Sequence, residues 1–151
     1  MNNLKLFIIS SLGIFADQLH KYYMINIYKI SQKAPAEIFE YLNFVMVWNR
    51  GISFGMFNNL AAANYFFIFF STCVVIFIIF LANKTINKIE HLSFCLIVGG
   101  AIGNIIDRIN YGAVADFFDF HIKGYHWPAF NIADALIFCG AALFILSNLF
   151  Y

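Results

Sequence analysis

The chain has 151 residues, 62% of them apolar, 20% aromatic and only 11% charged, with a net charge of +1. Soluble domains carry about 25% charged residues, and a domain this small could not bury so much apolar surface, so its expected solvent is a lipid bilayer. The near-neutral balance, without a basic run, excludes nucleic acid as a partner. Cys73, Cys95 and Cys139 stand singly in apolar stretches, with no metal or disulfide spacing, and read as reduced packing residues.

Uncharged runs place the helices in order along the chain. The first is expected at about 4–24. Lys5 and the uncharged run 6–16 imitate a secretory leader, but no small-x-small site closes the run and Asp17 and Lys21 follow at once, so a retained helix is expected. Next comes "LAAANYFFIFFSTCVVIFIIFLA" (60–82), of spanning length and free of charge. A third helix at about 91–109 is uncharged from Leu92 to Ile106, and the short polar "ANKTINKIEH" before it forces an antiparallel hairpin. The fourth, about 132–151, is uncharged after Asp134.

These elements predict one domain over 1–151, an all-α integral membrane protein with four transmembrane helices. Two longer segments, about 25–58 and 110–131, must then share one side of the membrane. Each holds a strand-like piece rich in β-branched and aromatic residues, "YLNFVMVW" (41–48) and "GAVADFFDFHI" (112–122). Paired, they would make a small β-cradle beside a segment lying on the membrane surface, with Trp48 and Trp127 as interface anchors. Sidedness does not follow from charge. Lys5, Lys84 and Lys88 oppose Lys29, Lys33, Arg50, Arg108 and Lys123, and two of the latter, Arg50 and Arg108, are candidates for buried functional groups.

Charges at membrane depth cost several kcal/mol unless paired and are functional suspects by default. Asp17 and Lys21 have the i,i+4 spacing that puts both on one helix face, either as a self-neutralising pair at the helix end or as a pair turned into the bundle. In "GGAIGNIIDR" (99–108), Gly99, Gly100 and Gly103 leave a smooth face for close helix contact. Asn104, Asp107 and Arg108 then form one polar face where the helix leaves the membrane. Asp134, in "FNIAD", is on one reading a first-turn acid with Asn131 as its cap. On the other, Asp116 and Asp134 are a carboxylate pair that shares a proton, activates water and protonates a leaving amine. Asp119 is not the partner of Asp116, because side chains at i and i+3 of a strand point to opposite faces; it is a supporting or solvent-facing acid.

Other chemistries fit less well. The serines stand near no His–Asp arrangement, His121 and His126 lack a convincing third ligand, and no glycine-rich phosphate loop follows a strand. A small transporter subunit with an acidic proton relay through Asp17, Asp107 and Asp134 is the alternative from another class, and a non-enzymatic scaffold is a third.

Five motifs stand in order: "DQLHK" (17–21), "NRGISFG" (49–55), "GGAIGNIIDR" (99–108), "VADFFDF" (114–120) and "FNIAD" (130–134). Their order and spacing resemble the lipoprotein signal peptidases, the type II signal peptidases of bacteria. The resemblance implies a four-helix aspartyl endopeptidase of the bacterial inner membrane, with both termini cytoplasmic and the active site at the extracytoplasmic face. Its implied substrate is a prolipoprotein cut just before a diacylglyceryl-modified cysteine, with membrane lipid as a further partner, no cofactor or metal, and globomycin-type peptides as inhibitors. By the same resemblance Asp116 and Asp134 are catalytic. Asn49, Gly51, Phe54, Asn104, Arg108 and Asn131 line or brace the site, and Asp17, Lys21 and Asp107 form a supporting polar shell. One departure is that the sequence stops at Tyr151, without the basic tail many relatives carry.

Overall fold

The computed structural model describes residues 3–51 and 60–150. Among the described residues four α-helices form: α1 (Asn3–Tyr22), α2 (Leu60–Lys84), α3 (Lys88–Tyr111) and α4 (Ile132–Phe150). Among the described residues three stretches are long and apolar enough to cross a membrane, Ala61–Lys84, Lys88–Tyr111 and Ile132–Leu149. The first helix is not one of them; it carries Lys5, Asp17 and Lys21 within its 20 residues, so the expected count of four spans rests on it. Outward-facing Phe7, Leu12 and Phe15 nevertheless give it an apolar exposed side.

Several boundaries differ from expectation because polar helix ends stay helical. The connection read as "ANKTINKIEH" shrinks to residues 85–87, since Asn87 caps α3 by accepting from the Ile89 N–H at 2.9 Å. At its far end α3 stops at Gly112, whose φ of +69° lets its N–H return to the Arg108 carbonyl. The first helix ends at Tyr22 and continues as one π-helical turn, Tyr23–Ile27.

The all-α class is too narrow, because the β-cradle expected beside the helices is a four-stranded antiparallel sheet among the described residues: β1 (Ala36–Phe39), β2 (Leu42–Asn49), β3 (Val114–Ile122) and β4 (Tyr125–His126), in spatial order 1-2-3-4. The two strand-like pieces pair as β2 and β3, with Leu42 opposite Phe120 and Asn49 opposite Val114. The register shifts between Phe44 and Val47, where β2 has one residue more than β3, the signature of a β-bulge. One sheet face buries Ala115 and Phe117 against Met24 and Ile30 of the segment that follows α1.

The third helix is the centre of the bundle, packing on α1, α2 and α4. Its glycines permit this. A Cβ on Gly99 would lie 3.0 Å from the Ser10 carbonyl, one on Gly103 would lie 2.6 Å from Asp17 Oδ2, and one on Gly100 would collide with the Ala133 carbonyl. Close backbone approach is what small residues supply where lipid gives no hydrophobic drive for association. Of the cysteines, only Cys95 is a packing residue; Cys73 and Cys139 are exposed.

Candidate active site

The site forms where β3 meets the start of α4. Phe130 bridges Phe118 in antiparallel fashion, each residue's N–H reaching the other's carbonyl at 2.9 and 3.1 Å. That pairing turns residues 131–134 back along β3 toward Asp116. Asn131, wholly buried, donates through Nδ2 to Asp116 Oδ1 at 2.7 Å and accepts the Asp134 N–H on Oδ1 at 2.9 Å. Its own N–H donates to Asp134 Oδ2 at 3.3 Å, closing a reciprocal cap. Asp134 is thus a helix-capping acid and a neighbour of Asp116 at once; the two sequence readings are not exclusive.

Asn104 of α3 completes the contact, donating from Nδ2 to Asp134 Oδ1 at 2.8 Å while its own Oδ1 accepts from Asn131 at 3.3 Å. Asn49, at the end of β2, lines the same recess as Asp116 and favours the charged form of its carboxyl. Asp116 is 1% exposed. Burial, and then the charge of Asp134, push its carboxyl up from 3.8 to about 6, against the opposing pull of Asn49, of the Asn131 hydrogen bond and of the Lys21 ammonium.

Behind the pair lie the other predicted polar residues. Lys21 Nζ sits 2.8 Å from both Asp17 Oδ2 and Asp107 Oδ2, all three side chains being buried. The i,i+4 pair therefore turns into the bundle. Arg108 lies with its guanidinium 4.7 Å over the Phe67 ring, and its Nη1 is buried with no hydrogen-bond partner among the described residues. Gly51, at φ +72°, stands at the rim, where a Cβ would meet Phe67 at 2.6 Å. Phe54 lies outside the described residues.

Asp119 is not brought to the site. It is buried rather than solvent-facing, and both its oxygens lie 2.9 Å from His126 Nδ1. His126 in turn stacks on His121. Two polar residues escaped the sequence reading. Gln18 bonds Asp17 and Asp107 together, and Asn64 donates to the Arg108 carbonyl at 3.0 Å. Gln18 was flagged only by its place inside "DQLHK", Asn64 by being polar in an otherwise apolar span.

Two recesses flank the pair. A polar one of about 500 Å³ is lined by Trp48, Asn49, Arg50 and Asp116. An apolar cleft of about 620 Å³ reaches Asp134 between Phe120, Trp127, Phe130 and Phe138.

The profile of the Signal peptidase (SPase) II family matches residues 9–150. The chain belongs to the signal peptidase II family. It is 41% identical over 133 residues to a lipoprotein signal peptidase of Anaplasma phagocytophilum (strain HZ), covering 88% of this chain and 84% of that one. It is 39% identical over 152 residues to that of Francisella tularensis subsp. novicida (strain U112), covering 97% and 92%. A solved bacterial membrane enzyme superposes with a TM-score of 0.83 at 30% identity, over 97% of this chain and 93% of that one. Family membership makes this chain a membrane-associated bacterial peptidase and gives the transporter reading no support.

Proposed function

We propose that this chain is the endopeptidase that removes the signal peptide from diacylglyceryl-modified prolipoproteins, cutting before the lipidated cysteine, with Asp116 and Asp134 as the catalytic pair. The observation that carries the aspartyl chemistry is Asn131, which bonds Asp116 and caps Asp134 through the same side chain. Two acids so tied, one of them buried and raised to about 6, can hold a single proton between them.

In that state the ionised carboxylate takes a proton from a water lying between the pair while the protonated one polarises the scissile carbonyl. The tetrahedral intermediate collapses as the amine leaves with a proton. Asn104 and Asn131 fix the carboxylates so that little rearrangement precedes attack. The buried guanidinium of Arg108 supplies positive charge near Asp116 and Asp134.

An amphiphilic substrate suits the two recesses, one polar at Asp116 and one apolar at Asp134. The peptide would lie in the first, with the acyl chains in contact with the apolar side. The four helices would then all cross the inner membrane, α1 included, as one peptidase domain with the sheet at the extracytoplasmic face. Globomycin-type peptides would compete for the same recesses.

A cleavage assay in detergent or nanodiscs tests the reading, using a prolipoprotein peptide with and without the diacylglyceryl group and mass analysis of the products. A single cut before the cysteine in the lipidated peptide is expected. Cleavage elsewhere, or of the unlipidated peptide alone, would overturn it.

A further inference from the structure

We infer that Asp17, Lys21 and Asp107, linked by Gln18, are positioning residues that set the spacing of the Asp116–Asp134 pair by gripping the two peptide N–H groups immediately ahead of those aspartates; the inference rests on the catalytic reading above.

Asp107 Oδ2 accepts the N–H of Ala115, the residue before Asp116, at 3.0 Å. Asp17 Oδ1 accepts the N–H of Ala133, the residue before Asp134, also at 3.0 Å. One carboxylate thus holds each backbone that delivers a proposed catalytic acid. Lys21 Nζ joins the two carboxylates at 2.8 Å each. Gln18 Nε2 joins them a second time, at 3.1 Å to Asp17 and 3.0 Å to Asp107, and anchors the assembly on the Gly103 carbonyl at 3.2 Å. Gly103 makes the room, since a Cβ there would lie 2.6 Å from Asp17 Oδ2.

Fold maintenance alone needs less. Asp17 and Lys21 already form a neutral pair within α1, and a third buried charge adds desolvation cost that apolar packing would avoid. Asp107 is placed where that charge reaches β3, so the unit couples two distant chain segments through α1 and α3. A rigid bolt of this kind matters because a displacement near 1 Å can cost about 100-fold in rate.

The test uses the full-length protein and the lipidated prolipoprotein peptide. Gln18→Met keeps every charge and nearly the same volume, and is expected to fold, to lower kcat about 10-fold and to leave KM within about 2-fold. Its ionisation near pH 6 in kcat/KM should move to lower pH, because a looser pair weakens the repulsion that Asp134 exerts on Asp116. Asp107→Ala removes one grip and should lower kcat about 100-fold, while Asp107→Asn, which retains an acceptor for Ala115, recovers part of the loss. A merely structural role predicts lower thermal stability with kcat and pH profile of the folded protein unchanged. Gln18→Met with wild-type kcat and an unmoved profile would overturn the inference even if Asp107→Ala failed to fold. Should Asp116→Asn itself remain active, the catalytic reading fails instead, so the two failures are distinguishable.

Discussion

Two carboxylates three positions apart on β3 meet opposite fates. Asp116 is drawn into a buried polar network built by β2, α3 and the start of α4, with its carboxyl raised to about 6. Asp119 is nearly as buried, yet among the described residues its carboxylate meets His126 of the next strand rather than a second acid. What separates them is the neighbourhood that the Phe118–Phe130 bridge creates on one side of the strand. On the proposed reading, burial alone does not mark the reactive acid; a second acid and shared amides do.

The largest expected break in this comparison is steric. Gly100→Leu would drive a side chain into the Ala133 carbonyl ahead of Asp134, and we expect loss of both fold and activity, read as absence of a cooperative thermal transition. Smaller than unfolding but decisive for chemistry, Asp134→Asn should fold and lose turnover by about 1,000-fold or more, since a pair that acts as a unit fails when either member is removed.

A third prediction concerns stability. A carboxyl whose folded value lies above its unfolded 3.8 binds more protons folded than unfolded between those values, so stability falls as pH rises through that window. Removing the acid should therefore stabilise the protein. Asp116→Asn is expected to gain on the order of 2 kcal/mol at pH 7.5, with the gain shrinking toward pH 4. Thermal midpoints at several pH values check this, and a loss at pH 7.5 would contradict the burial account. The smallest effect is expected on the β3–β4 hairpin: Asp119→Asn removes the charge from the His126 contact but keeps an acceptor oxygen, and should cost about 1 kcal/mol or less, because His126 is half-exposed to screening solvent.

Much of this was legible in the sequence, for physical reasons that differ by element. Uncharged runs of about 20 residues have few alternatives in a bilayer, so α2 and α4 could be read directly. Enrichment in β-branched and aromatic residues announces β2 and β3 but not their bulged register, which depends on side-chain fit between the strands. The acids stood out because charge is rare here. Gln18 did not, since a neutral amide has no charge to explain, and its role appears only when α1 and α3 close around Gly103. The burial of Asp119 was missed because His126, its partner, arrives through a tight turn after β3.

The central claim is that Asp116 reacts and Asp119 does not, although one strand carries both. The most direct measurement is kcat for the lipidated prolipoprotein peptide with Asp116→Asn and Asp119→Asn side by side, each confirmed folded by its thermal transition. We expect the first to lose about 1,000-fold or more while the second keeps most of its turnover. Equal activities in the two variants, or the greater loss in Asp119→Asn, would contradict the account.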